Sequence, residues 1–298
     1  MPALTSHLAI SSGCRGVSGP PTIDHLRASG ACYNTPVESE GQPALPPARL
    51  GRALKKGIAD AYDHLGLVIA SSFIWTAAVL IPVAAGTEIQ RRVAPGGVWF
   101  AAAGVAFAVL GGAPLLAGVF RMAYRIAYRD DPSLADLFSG FRELLVASWA
   151  LAAVNLVVVT VLAADAAFFF GVFGPLRPNW LFFGLGTLCL YALLGWIMAA
   201  FYQLPVLAAQ KPMGQRQGWL PAVKKSFLLA AGNPLFTIGL FVVTLGFGIL
   251  CVLSVIGMLA LYVGAVSVLL THALRELYIR YGIVEEPPEA VEDRGWHS

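Results

Sequence analysis

The sequence predicts an all-α membrane protein of six transmembrane helices, arranged as three hairpins that are each preceded by a cytoplasmic amphipathic helix. Three observations lead there. Residues 233 to 274 carry no formal charge across 42 positions, whereas a hydrocarbon core of roughly 30 Å needs only about 20 apolar residues at 1.5 Å each. One helix through that tract overshoots, so it reads as two crossings. The chain is 57% hydrophobic and 12% charged, with a mean hydropathy of +0.71, which leaves too little polar surface to cover a water-soluble globule of 298 residues. Lysine and arginine, finally, fall in alternate gaps between the apolar tracts.

The elements follow in order. Residues 1–48 mix Pro, Gly and Ser without periodicity and end in Gln42-Pro43-Ala44-Leu45-Pro46-Pro47. Such a stretch buries too little apolar area to offset its ordering entropy, so a disordered, retained tail is expected. Cys14 has no positively charged stretch and no long apolar run ahead of it, which argues against a lipoprotein cleavage site. The membrane domain is expected over 49–282. Its apolar tracts run 65–86, 98–120, 144–170, 180–209 and the double-length 233–274. Residues 283–298 form an acidic, Pro-broken tail.

Orientation comes from the basic residues. Arg49, Arg52, Lys55 and Lys56 precede the first crossing; Arg121, Arg125, Arg129 and Arg142 lie between the second and third. Lys211, Arg216, Lys224 and Lys225 lie between the fourth and fifth, and Arg275 and Arg280 follow the last. Opposite them stand only Arg91, Arg92 and Arg177. The positive-inside tendency places both termini in the cytoplasm and favours an even number of crossings. Lys55, Lys56, Arg121, Arg125, Lys224 and Lys225 are the expected contacts for anionic headgroups. No basic stripe with interleaved aromatics appears, so nucleic acid is not expected as a partner.

A threefold repeat supports the count. Ala53-Leu54-Lys55-Lys56 and Ala222-Val223-Lys224-Lys225 each stand ahead of a crossing, and the segment from Ser133 to Arg142 leads into the third. Within it Leu134, Leu137, Phe138 and Phe141 recur at helical spacing. The breaks fit this plan. Asp130-Asp131-Pro132-Ser133 ends one helix and offers Ser133 as the cap of the next. Gly171 to Asn179 forms an outer loop, Lys211-Pro212-Met213-Gly214 ends the fourth crossing, and Gly232-Asn233-Pro234 hinges into the fifth.

Candidate functional residues are few. An ionisable group in hydrocarbon is costly and is retained for function or shielded by a partner. Asp165, in the outer half of the third crossing, is the principal candidate, with Asn155 on the same helix and Tyr202 and Gln203 on the fourth. The alternative for Asp165 is an interfacial position facing water or Arg177. Pro82, Pro114 and Pro205 interrupt crossings one, two and four, and a proline frees the carbonyl four residues earlier. Gly104, Ala108 and Gly112 form a small-residue ladder that permits close helix approach.

Asp60, Asp63 and His64 share one helical face, and His272 with Glu276 repeats the pairing of imidazole and carboxylate at the end of the last crossing. A shared metal site is conceivable there, but polar residues belong at an interface and the ligand spacing matches no metal motif. No metal or cofactor is expected. Cys14, Cys32, Cys189 and Cys251 form no paired motif and read as free thiols. HExxH, GxSxG and Walker A motifs are absent from the sequence.

Gly111-Gly112-Ala113-Pro114, followed by Arg121-Met122-Ala123-Tyr124-Arg125 and by Asp136 through Arg142, resembles the YesL-like family of bacterial multi-pass membrane proteins. The resemblance covers residues 50 to 281. The chain departs from it in a longer first hairpin, with an outer segment from Thr87 to Gly97, and in lacking an asparagine early in crossing one. The resemblance implies a bacterial inner-membrane protein whose relatives are associated with carbohydrate uptake systems, and it carries over no catalytic residues.

Two functional classes remain foremost. One is a non-enzymatic accessory or scaffold component of a transport or envelope system, with the bilayer and a transporter or other membrane protein as partners. The other is a small-solute channel or carrier built around Asp165 and Asn155. An intramembrane enzyme ranks third for want of a motif. The oligomeric state is left open by the sequence.

Overall fold

The computed structural model describes residues 48–93, 98–128, 131–172 and 180–284. The expected tails, 1–48 and 283–298, therefore lie outside the described residues except for Ala48, Ile283 and Val284. All regular structure among the described residues is helical: α1 (Leu50–Asp63), α2 (Leu65–Val93), α3 (Trp99–Tyr128), α4 (Leu134–Phe169), α5 (Trp180–Gln210), α6 (Trp219–Gly232), α7 (Pro234–Leu253), α8 (Val255–Ala260) and α9 (Tyr262–Arg280). Five of these, α2, α3, α4, α5 and α7, are long and apolar enough to cross a membrane.

The double-length tract does divide. Ser254 leaves helical geometry with extended backbone angles, its hydroxyl accepts the Gly257 N–H, and the six-residue α8 leads into α9. Arg275, Glu276 and Arg280 crowd the last turns of α9, which is why this 19-residue helix is less apolar than the five.

One expectation is corrected. The amphipathic segment 133–142 is not a separate helix but the opening turns of α4, which runs unbroken for 36 residues. Between Phe141 and Leu144 the sequence holds only Arg142 and Glu143, both good helix formers, and no glycine or proline to end the turn. Ser133 does stand at the start. Its N–H and hydroxyl both donate to the Asp136 carboxylate, at 2.9 and 2.8 Å. The segment from Thr87 likewise continues α2 as far as Val93, with Arg92 bonded to Glu88 one turn earlier.

Close contacts give the helix directions. Gly86 of α2 lies against Phe100 and Gly104 of α3, while Gly112 further along α3 lies against the earlier Val79. The two helices are thus antiparallel. Gly118 packs on Leu137 and Trp149 reaches back to Leu110, so α3 and α4 are antiparallel as well. Asn155 meets Gln203 and Phe170 meets Phe183, which does the same for α4 and α5. Side chains are excluded where backbones approach most closely: a Cβ on Gly104 would collide with the Pro82 carbonyl, and one on Gly118 with the Leu137 carbonyl.

The core sits at the end where α3, α5 and α9 finish. Tyr124, Leu144, Tyr202, Leu207, Leu274 and Leu277 cluster there. Helix α1 lies across α9, with Ala53 fully buried and Gly57 against Leu269, while Ile58 and Tyr62 on its other side are exposed. At the opposite end α5 packs on α4 through its aromatic residues and leaves Trp180, Phe183, Leu188 and Tyr191 exposed. An apolar exterior of this kind suits a hydrocarbon solvent.

Candidate functional site

Polar side chains on long apolar helices must find partners, because hydrocarbon offers none. Asn155 does so in three directions. Its Nδ2 donates to the Leu151 carbonyl at 2.9 Å and to Gln203 Oε1 at 2.5 Å, while its Oδ1 accepts the Trp196 indole N–H at 2.9 Å. Because indole only donates and a carbonyl only accepts, these contacts fix which way the Asn155 amide points, and Asn155 in turn fixes Gln203. The buried Gln203 Nε2 is left without an acceptor among the described residues.

Tyr202 belongs to a different group, although it adjoins Gln203. Its hydroxyl lies 3.1 Å from Thr237 Oγ1, and Thr237 donates onward to the Asn233 carbonyl at 2.9 Å. Tyr202 is therefore the donor, and the chain ties α5 to the start of α7. Asn233 also donates to the Tyr281 hydroxyl at 2.9 Å and accepts from Arg280.

Asp165 joins neither group. It is exposed, and it stands ten residues beyond Asn155, about 15 Å along α4 at the ordinary helical rise. Arg177, its alternative partner from the sequence, lies outside the described residues. Of the four candidate polar residues, the structure thus brings Asn155 and Gln203 together and separates Tyr202 and Asp165 from them.

Of the prolines, Pro82 sets its backbone carbonyl against Gly104 of α3, while Pro114 and Pro205 are buried. Pro114 has no N–H for Leu110, and Trp149 of α4 fills the gap by donating to the Leu110 carbonyl at 2.7 Å. Trp75 of α2 makes the matching bond to the Gly112 carbonyl at 2.9 Å.

The basic residues serve mostly as helix-end partners. Arg121 donates to the Ala208 carbonyl in the last turn of α5, and Arg125 pairs with Asp136 at 3.1 Å. Lys55 and Lys56 lie on α1 and Lys224 is exposed on α6. Lys225 donates to Gln215, and burial lowers its ammonium pKa below the ordinary lysine value. Asp60 and His272, drawn from the two groups weighed for metal, do meet: Oδ2 lies 2.9 Å from Nε2, although the ring N–H is not aligned for a hydrogen bond. Among the described residues no three His, Cys, Asp or Glu side chains are placed to hold a metal ion.

The main feature that sequence reasoning missed is a cleft of about 320 Å³ between α2, α3, α5 and α9. Trp75, Phe120, Phe201, Leu204, Tyr262 and Leu270 are among its walls, which are almost entirely apolar. Its residues come from four helices distant in sequence, so no local pattern marks them. The Trp75 indole N–H is already bonded to Gly112. The cleft therefore suits hydrocarbon and not a polar solute. The chain matches no protein-family model, no curated protein and no solved structure.

Proposed function

We propose that this chain is a non-enzymatic integral protein of a bacterial inner membrane, an accessory or scaffold component of a transport or envelope system. The apolar cleft is the observation that carries this reading. A carrier for polar solutes needs a polar cavity at membrane depth, whereas a protein that contacts lipid or partner helices needs apolar surface with depth to it. The separation of Asp165 from Asn155 and Gln203 points the same way.

In this reading α8 and α9 together make the sixth crossing, beside the five helices already long enough. The three pairs α2–α3, α4–α5 and α7–α9 then cross as hairpins. The arginines at the ends of α3 and α9 face the cytoplasm with both termini, and the Val93 end of α2 and the Phe169 end of α4 face outward. The motifs at Gly111–Pro114 and Asp136–Arg142 support membership of the YesL-like family.

A second reading, a small-solute carrier, is favoured by one observation: the buried Gln203 Nε2 that lacks an acceptor among the described residues. Purification in mild detergent, paired with solute flux in proteoliposomes, separates the two. The accessory reading expects a transport protein recovered in fixed stoichiometry, lost when Ala200→Phe fills the cleft, and no flux from the purified chain alone. Flux that Gln203→Leu abolishes would contradict it.

A further inference from the structure

We propose that a second copy of this chain docks on the outer halves of α4 and α5, bringing the Arg91–Arg92 end of its α2 to Asp165. Asp165 is the starting point because it breaks a rule of membrane helices. Ionisable residues in apolar segments turn inward or pair, yet Asp165 is exposed and makes no hydrogen bond or ion pair among the described residues. The surface around it is open too. Val157, Val161 and Phe168 of α4 and Leu188 and Tyr191 of α5 are all exposed, because the outer halves of these two helices touch little beyond each other.

Charge complementarity selects the occupant. At the outer end of α2, Arg92 bonds Glu88 at 2.6 Å and Arg91 lies 3.9 Å from the same carboxylate. Two guanidinium groups share one carboxylate, so one positive charge is left over, and both arginines are about four-fifths exposed. That excess is opposite in sign to the charge of Asp165. The antiparallel order of α2 to α5 puts both groups at one end of the bundle, Asp165 four residues before the end of α4 and Arg91 two before the end of α2. Copies inserted in one membrane share an orientation, so outer ends meet only outer ends. A neighbour's α2 therefore presents arginine at the end of the bundle where this chain presents aspartate.

The test is energy transfer between differently labelled full-length copies in lipid bilayers, as the protein-to-lipid ratio is varied. Wild type is expected to associate, and Asp165→Lys alone, or Arg91→Glu with Arg92→Glu alone, to weaken self-association about tenfold through like-charge contact. Mixing the two variants is expected to restore association to the wild-type level, since every contact between unlike copies is then attractive. Helical content and thermal midpoint, compared across the variants, establish that each remains folded. A wild type that stays monomeric at every ratio, reversals that leave association unchanged, or a mixture no tighter than its parts would each overturn the proposal. In any of these cases the face is simply covered by lipid.

Discussion

Arg275 of α9 donates from Nη1 to the Ala127 carbonyl of α3 at 2.8 Å, while its guanidinium lies 5.3 Å from the centre of the Tyr128 ring. A cation from one helix thus closes the C-terminus of another, where unpaired carbonyls and the negative end of the helix dipole gather. Arg121 does the same for α5 through Ala208. Basic residues from which the sequence leads one to expect a cytoplasmic face are in this protein also structural caps.

Arg275→Ala is expected to lower stability by about 1.5–3 kcal/mol, the range for hydrogen bonds to charged groups. Arg275→Lys should recover only part, since an ammonium cannot both bond the carbonyl and lie flat on the tyrosine. Thermal unfolding in detergent, followed by circular dichroism, checks both.

Trp149→Phe is expected to cost roughly 0.6 kcal/mol and at most about 1.7, the mean and the maximum measured for hydrogen bonds between membrane helices. The cost arises because Pro114 leaves Leu110 without its own helical donor. Pro114→Ala restores that donor, so Trp149→Phe in the Pro114→Ala background should cost far less. A double-mutant cycle showing no coupling between the two positions would contradict this account.

Gly104→Val is expected to destabilise by about 1–3 kcal/mol or to prevent folding, because the Pro82 carbonyl occupies the space that a side chain needs. Gly246→Ala, where nothing lies within 4 Å of an added Cβ, is the control and should be neutral. Detergent-solubilised yield and melting temperature report on each.

Lys225 gives the stability a pH dependence. Burial lowers its folded pKa below the ordinary 10.5, so between these two values the unfolded chain binds more protons than the folded one, and stability rises with pH. The penalty for burying the charged amine is fully present below the window and vanishes above it. Lys225→Met should therefore be more stable than wild type below the window, with the difference shrinking as pH climbs toward 10.5. Unfolding midpoints of both proteins across that range provide the comparison.

How far the sequence reaches depends on the kind of signal. The long apolar helices are legible because length without charge is a local property, as in residues 233 to 274, and the division of that tract follows from the thickness of a bilayer. The boundary near 142 is not legible in the same way. An amphipathic segment and an apolar one share the 3.6-residue period, so with no breaker between them the chain continues as one helix.

The polar residues divide similarly. Asn155 and Gln203 stand out as amides in apolar tracts, and the structure joins them, but their link to Trp196 depends on the packing angle of α4 against α5. Leu110 is marked as a free acceptor by Pro114, while its partner Trp149 lies 39 positions away. The cleft needs four helices at once and leaves no trace in any one of them.

The most direct measurement of the central claim uses a single cysteine at Gly282, introduced after replacing the native cysteines, and a maleimide that cannot cross membranes. With six crossings and both termini inside, Gly282 should react only after the cells are opened, while a second variant with cysteine at Val98 should react in intact spheroplasts. Labelling of the Gly282 position in intact spheroplasts would contradict the arrangement.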